Sequence, residues 1–311
     1  FPAFKQALTE CDNAFSKQAN ASVLALIYGD NDNDSGIDAA LQAEAALKDS
    51  ANAQAIIFSV EYALAKLWMS FGVEPELVVG HSIGEYAAAC IAGVMSFDDA
   101  VRMVVARGKA MKTTAVAGKM AGVLASQSTV EALIADFDKV YIAAIKTPEN
   151  VTISGDAEQV DAVIALAKKQ RVFTEKLDIH HPFHSPMMAD SAKSLEETLN
   201  TVAFNAPSVP LLSTQTGAVI THADDMNADY WRQHLCQPVQ FNAALSHIAQ
   251  VDANALIEMG GTATLTGLAA QVIDNGKNLF LPSQRSGKDS WQQFNETVAL
   301  AWKNGINIQW Q

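Results

Sequence analysis

The residues best suited to chemistry form the pentapeptide GHSIG (80–84), which fits the pattern G-x-S-x-G. The apolar run LVV (77–79) before it predicts a buried strand, and the small residues after it predict a helix over Glu85–Ile91. Glycine lets the backbone crowd in a sharp strand-to-helix turn, which lifts the Ser82 hydroxyl into a cleft. At the start of a helix, the backbone N–H of Ile83 can stabilise a developing oxyanion. The pattern predicts a nucleophilic serine, and a plain glycine-rich turn is the alternative.

A nucleophilic serine needs a general base, and three of the seven histidines lie together in IHHPFHSP (179–186). His180 and His184 are four residues apart, a spacing at which one helix face could present both to a metal ion. Pro182 between them disfavours such a helix, and no glutamate completes an H-E-x-x-H pattern. We therefore predict a rigid, proline-flanked loop that holds one imidazole still, with His184 at the end of the loop just before a helix. A metal site and a core histidine bonded to the backbone are the alternatives.

Arg107 is the third residue with chemical potential. It lies on a predicted helix over Phe97–Lys112, which opens with a capping pattern at Ser96. Helical spacing places Arg107 on the apolar stripe of this helix, in line with Met103 and Met111. A guanidinium in that position stays charged and therefore needs an anion. The carboxylate of a ligand and an internal Asp or Glu are equally compatible with the sequence.

The elements that must position these residues fall into two units. Around the serine, and again after residue 180, helices alternate with short apolar runs typical of buried parallel strands. Between residues 117 and 180 the order becomes strand, helix, two strands, helix and strand, which is the ferredoxin-like signature. We predict an α/β fold with an α/β-hydrolase-like large subdomain containing a parallel sheet, over residues 1–116 and 181–311. A ferredoxin-like (βαββαβ) small subdomain over residues 117–180 is inserted into it.

Composition limits the partners of this chain. It has 311 residues, of which 49% are hydrophobic, and a formal net charge of −13. That charge argues against nucleic acid or a membrane surface as the main partner, and no apolar run approaches the ~20 residues of a spanning helix. Three widely spaced cysteines fit a reducing cytoplasm. The segment GDNDNDSG (29–36) suggests calcium, but it does not meet the EF-hand pattern and predicts a solvated loop.

Taken together, these motifs resemble the malonyl-CoA:acyl-carrier-protein transacylase family. The closer similarity is to acyltransferase domains of type I polyketide synthases and polyunsaturated fatty acid synthases, and it runs over nearly the whole chain. The 25 residues that separate the serine from the arginine match the family's spacing. The matching pieces are GHSIGEY (80–86), RGKAM (107–111), VTISG (151–155), HPFHSP (181–186), YWRQHLCQPV (230–239), IEMG (257–260) and LPSQR (281–285).

The resemblance implies a role for four residues. Ser82 is the acyl acceptor, His184 is the base, and Arg107 binds the free carboxylate of malonyl. His234 supplies the backbone carbonyl that orients His184. The implied reaction is ping-pong transfer from malonyl-CoA to the phosphopantetheine thiol of an acyl carrier protein, with no bound cofactor or metal, among neighbouring domains of a larger cytoplasmic synthase.

The resemblance also bears on which acyl group is chosen. Family members that read HAFH in the histidine loop usually take malonyl, whereas those that read YASH usually take methylmalonyl. This chain reads HPFH (181–184), and Phe183 fills space that an α-methyl group needs. Ile83, directly after the serine, also resembles the malonyl type. A single methyl is worth about 1–3 kcal/mol of discrimination, so we expect a preference and not absolute exclusion.

Three features depart from the family pattern. The GQGxQ segment, which gives the second oxyanion N–H, is absent from the sequence; Lys146 replaces an asparagine, and Gly261 replaces a proline. The first residue, Phe1, and the final GINIQW (305–310) predict excision from a larger synthase. Two other functions are compatible with the sequence. One is a serine esterase or thioesterase, and the other is a non-catalytic docking domain.

Overall fold

Helices and short strands alternate along the chain in a computed structural model that describes residues 1–29, 44–113, 117–251, 253–273 and 276–310. The helices are α1 (Pro2–Ala19), α2 (Val23–Tyr28), α3 (Ser50–Ser70), α4 (Gly84–Ile91), α5 (Phe97–Thr113), α6 (Gln127–Ile134), α7 (Ala157–Lys169), α8 (Ala189–Ser194), α9 (Glu196–Leu199), α10 (Ala228–His234), α11 (Phe241–Ile248), α12 (Thr264–Val272) and α13 (Ser290–Lys303). The strands are β1 (Val78–Val79), β2 (Gly118–Leu124), β3 (Val140–Thr147), β4 (Asn150–Asp156), β5 (Phe173–Lys176), β6 (Leu211–Leu212), β7 (Val219–Ile220), β8 (Ala255–Glu258) and β9 (Leu279–Pro282).

The large part of the molecule contains two small sheets. One has the strand order β1-β6-β7, in which β1 and β6 are parallel and β7 is antiparallel. The other pairs β8 with β9 in parallel. The predicted parallel pairing is therefore present, with β7 as an unpredicted antiparallel addition. The strand β1 leads directly into the predicted serine turn.

The long helices α3 and α5 lie beside this turn. Asp49 caps α3, because its Oδ1 accepts the N–H groups of Ala51 and Asn52 at 3.0 and 3.1 Å. The predicted cap of α5 is also present, since Ser96 Oγ accepts the Asp99 N–H at 3.1 Å. The apolar stripe of α5 is buried in the main core, as the sequence pattern predicts. These two helices bring polar side chains from their buried faces to the serine.

The small unit has the predicted order β2-α6-β3-β4-α7-β5. Its four strands form a sheet in the order β3-β4-β2-β5, and each pair of adjacent strands is antiparallel. The ferredoxin-like prediction is confirmed. The unit joins the large part through β3, because Ile145 donates its N–H to the Val239 carbonyl at 2.9 Å and Ala143 accepts the Val239 N–H at 2.9 Å. The histidine loop begins at the other connection, where His180 accepts the Gly118 N–H at 3.0 Å.

The structure also bears on the metal sites, membrane helices, disulfides and polar loop that the sequence analysis considered. In the described part of the chain, no group of His, Cys, Asp or Glu side chains could hold a metal ion. The same residues include no helix with the length and hydropathy needed to cross a bilayer. The three cysteines are unpaired. The predicted Asp/Asn-rich loop lies, apart from Gly29, outside the described residues.

Candidate active site

The serine turn has the geometry that the glycine pattern predicts. Ser82 adopts φ 54°, in the left-handed region that a non-glycine residue rarely occupies. A Cβ on Gly80 would overlap with the backbone of Gly84 and Glu85, so only glycine fits there. The turn places the Ser82 hydroxyl at the start of α4. Across the described ranges, no protein acceptor binds the N–H of Ile83, which leaves this group available to an oxyanion.

The structure brings the predicted nucleophile and the predicted base together. Ser82 Oγ lies 2.7 Å from His184 Nε2. His184 Nδ1 lies 3.1 Å from the backbone carbonyl of Gln237, and a carbonyl can only accept. The proton therefore resides on Nδ1, and Nε2 is left to accept the proton of Ser82. The backbone N–H of His184 donates to the Leu235 carbonyl at 3.1 Å, which also fixes the loop.

The expected role of the His234 carbonyl is wrong. The carbonyl that orients the His184 ring belongs to Gln237. The physical reason is that α10 ends at His234, and the carbonyls that turn toward the histidine loop come from the segment after the helix. The His234 side chain is itself buried. Its ring centroid lies 5.9 Å from that of His184, and its Nε2 lies 3.5 Å from Glu85 Oε2.

Arg107 is only 2% exposed and points at the nucleophile. Its Nη2 donates to Ser82 Oγ at 3.2 Å, its Nη1 donates to Gln54 Oε1, and its Cζ lies 5.5 Å from the centroid of the Tyr86 ring. Among the residues that the structure describes, no carboxylate forms an ion pair with it, and its Nε has no partner. The internal salt bridge that the sequence left open is thus not observed. A buried guanidinium without an anion is costly, and an anion that entered the site would reduce this cost.

Gln54 was not identified from the sequence. It is buried on α3, where its Nε2 donates to the Ser50 carbonyl at 2.9 Å and its Oε1 accepts from Arg107. The contact fixes one end of the guanidinium and leaves the other directed at Ser82. The sequence shows only a glutamine at an apolar position of a predicted helix. That observation indicates a functional role only when its partner, Arg107, is known.

The histidine loop is held by backbone-directed hydrogen bonds. Ser154 Oγ donates to the Phe183 carbonyl at 2.7 Å, and Ser185 Oγ donates to the Pro182 carbonyl at 2.6 Å. The side chain of Phe183 is half-buried against the main core. His180 is exposed, with 81% of its side chain accessible, while His184 is buried against Ser82. The two side chains are not arranged to share a metal ion, and of these two only His184 contacts Ser82.

Burial disfavours the charged form of two imidazoles near the serine turn, those of His184 and His81. Burial lowers the pKa of His184 well below its ordinary value, and the nearby His234 and Arg107 lower it further. Burial also lowers the pKa of His81 to about 4, with the charge of Lys146 as the next cause. A neutral His184 is the form that can accept a proton from serine. Lys146, half-buried near the end of β3, has its own pKa lowered by burial.

Comparisons with known proteins give a family match over most of the chain. The family model described as "Acyl transferase domain" matches residues 1–300. A PKS-NRPS hybrid synthetase of Aspergillus candidus is 36% identical over 272 residues, which cover 86% of this chain and 11% of that protein. The chain thus spans about a tenth of the length of this relative.

Solved structures give the same answer for the fold. The acyltransferase domain from the second module of the salinomycin polyketide synthase is 31% identical with a TM-score of 0.89, covering 99% of this chain and 69% of that one. The malonyl CoA-acyl carrier protein transacylase of Coxiella burnetii is 22% identical with a TM-score of 0.80, covering 96% and 90% of the two chains. This second likeness concerns the fold alone.

Proposed function

Because the chain belongs to the family of acyl transferase domains, we propose that it transfers a malonyl group from malonyl-CoA to the phosphopantetheine thiol of an acyl carrier protein. The supporting observation is the convergence of two groups, an imidazole and a guanidinium, on one hydroxyl oxygen atom. Ser82 Oγ lies 2.7 Å from the base His184 and 3.2 Å from the guanidinium of Arg107. A nucleophile, a neutral base and an unpaired buried cation together suit an acyl group that carries a negative charge.

The first half-reaction loads the serine. As Ser82 Oγ attacks the thioester carbonyl, His184 Nε2 takes its proton, and the N–H of Ile83 donates to the oxyanion. The carbon–sulfur bond then breaks, and the departing CoA thiolate takes the proton from the His184 imidazolium. The Gln237 carbonyl keeps the ring oriented throughout, because its bond to Nδ1–H strengthens when the ring is charged. The product is a malonyl ester on Ser82.

The second half-reaction discharges the ester. His184 takes the proton of the pantetheine thiol as its sulfur attacks the ester carbonyl, and it returns a proton to Ser82 Oγ as the ester bond breaks. Arg107 pairs with the free carboxylate of the malonyl group during both steps. The planar guanidinium suits two parallel hydrogen bonds to that carboxylate. This pairing fixes the acyl chain so that an incoming thiol reaches the carbonyl.

The proposed choice of acyl group involves the side chains of two residues that are next in sequence to the nucleophile and to the base. Phe183 is half-buried and adjacent to the base, and Ile83 follows the nucleophile. We assign to them the exclusion of an α-methyl group, with a preference of about 1–3 kcal/mol for malonyl over methylmalonyl. The expected setting is a larger cytoplasmic synthase, in which neighbouring domains and the carrier protein are the partners.

A chase experiment tests the transfer. The protein is first incubated with malonyl-CoA, the free CoA ester is removed, and a phosphopantetheinylated acyl carrier protein is added. Transfer predicts that malonyl moves to the carrier thiol faster than it is released as free acid. Rapid release of malonate without a carrier would instead identify a serine thioesterase. A carrier protein that lacks the phosphopantetheine arm is the matched control and should accept nothing.

A further inference from the structure

Glu85 is a buried carboxylate to which the reaction described above assigns no role. It is the second residue of α4, three positions after the nucleophile, and it is fully buried. Its Oε1 accepts the Tyr230 hydroxyl proton, and its Oε2 lies 2.5 Å from Thr214 Oγ1 and 3.3 Å from the Thr214 backbone N–H. Its nearest cationic candidate is His234, whose Nε2 is 3.5 Å from Oε2. A carboxylate so placed is costly unless its acceptor capacity is used.

The directions of the surrounding hydrogen bonds show which groups donate to Glu85. Ser213 Oγ accepts the N–H groups of Gln215 and Thr216, both at 3.1 Å, so it donates its own proton to the Tyr230 oxygen 2.7 Å away. Tyr230 must then donate its proton to Glu85 Oε1. The Thr214 N–H donates to Oε2 on the other side. The Tyr230 O–H and the Thr214 N–H therefore donate to Glu85 from two sides, one to each carboxyl oxygen.

This network joins the element of the nucleophile to the element of the base. Glu85 is part of α4, which begins at the serine turn, and Thr214 Oγ1 also lies 3.0 Å from the Gly80 carbonyl in that turn. Tyr230 lies on α10, one turn before the helix ends. The residues just beyond that end, Leu235 and Gln237, supply the two carbonyls that bind the backbone and the ring of His184.

We propose that Glu85 is a positioning residue, which sets the Ser82–His184 distance by anchoring the end of α10 to the serine turn. This role rests on the acyl transfer proposed above. It acts through Tyr230 and Thr214, and Glu85 does not touch substrate. A glutamine of the same size cannot replace it, because its NH₂ group would oppose either the Tyr230 O–H or the Thr214 N–H.

The test compares wild type with Glu85→Gln in the loading of Ser82 by malonyl-CoA. We expect kcat to fall at least about tenfold with KM little changed, because the base is displaced while Arg107 still binds the carboxylate. The second readout is the Nδ1–H proton resonance of His184 in histidine-labelled protein, which reports its bond to Gln237 without any reaction. It should shift or disappear in the folded variant.

Two further variants make the outcome decisive. Tyr230→Phe removes a single atom from the network and should lower kcat in the same direction, even where Glu85→Gln folds poorly. Ser59→Ala removes a buried hydroxyl of α3 that donates to the Ala55 carbonyl at 2.7 Å and contacts none of the residues of this network, and it should change neither readout. An unchanged kcat and an unchanged His184 resonance in folded Glu85→Gln would overturn the positioning role. Failure of wild type to load malonyl would instead remove the proposed function and leave the resonance test intact.

Discussion

Arg107 Nη2 lies 3.2 Å from Ser82 Oγ, so the buried cation of this site is directed at the nucleophile and not at an internal acid. Gln54 holds the opposite side of the same guanidinium. An acyl group attached to Ser82 would extend from the atom that Arg107 already contacts. This contact therefore places a buried positive charge next to the oxygen atom that would carry the acyl group in the proposed reaction.

Replacing Arg107 with alanine should change which acyl group is loaded. Without the guanidinium, we expect kcat/KM for malonyl-CoA to fall about 10- to 100-fold, since a charge-assisted hydrogen bond contributes about 1.5–3 kcal/mol. Loading of acetyl-CoA, which lacks a carboxylate, should not fall. The measurement is the rate of CoA release with each thioester. Arg102→Ala, on the same helix but paired with Asp99, is the control and should leave both rates unchanged. Equal losses for the two thioesters would show that Arg107 does not bind the free carboxylate of malonyl.

The lowered pKa of His184 makes a prediction about pH. The base must be neutral to accept the Ser82 proton, and a lowered pKa keeps it neutral to more acidic pH. The rate of Ser82 acylation should therefore stay level as the pH falls through 6.5, the ordinary value of the group, and decline only below it. Rapid-quench measurement of the acyl-enzyme across this range checks the prediction. A half-maximal rate at or above 6.5 would contradict it.

Shortening Phe183 should admit a methyl-branched substrate. Phe183→Ala removes the ring of the residue that precedes the base, so we expect the preference for malonyl-CoA over methylmalonyl-CoA to fall by about 10-fold or more. Competition between the two thioesters, resolved by the mass of the acyl-enzyme, measures the ratio. Phe173→Ala removes an exposed phenylalanine of the small unit and is the control. If the ratio is the same in both variants, Phe183 does not select the acyl group.

The glycine turn makes a prediction about stability. A methyl group at position 80 meets the backbone of α4, so Gly80→Ala should lower the free energy of unfolding by about 3 kcal/mol. Gly267→Ala is the matched change, because Gly267 lies inside α12 with no atom within 4 Å of its added carbon. That variant should be more stable by about 0.5–1 kcal/mol. Denaturant unfolding compares the two, and equal effects would contradict the proposed crowding of the turn.

The sequence identified Ser82, His184 and Arg107 because each carries a local signal. The serine has flanking glycines between an apolar run and a helix, the histidine has prolines around it, and the arginine interrupts an apolar stripe. The ferredoxin-like unit was also predictable, since its strands and helices are long enough to show their periodicity. Each of these patterns lies within a short stretch of sequence, so it can be recognised without knowing which distant residues are in contact.

Other parts of the site have no such signal. Gln237 acts through its backbone carbonyl, which any residue possesses, and the choice of His234 was therefore wrong. Gln54 becomes meaningful only through Arg107, 53 positions away. The strand β7 has two residues, too few for an alternating pattern. Such features are set by tertiary packing, and they appear only when the chain is folded.

The most direct test is the mass of the intact protein after brief exposure to malonyl-CoA, with Ser82→Ala measured in parallel. The contact between Ser82 Oγ and His184 Nε2 predicts one malonyl adduct on wild type, on the peptide that contains Ser82, and none on the variant. A wild-type protein that takes up no malonyl, or an adduct that persists in Ser82→Ala, would contradict the assignment of Ser82 as the acyl acceptor.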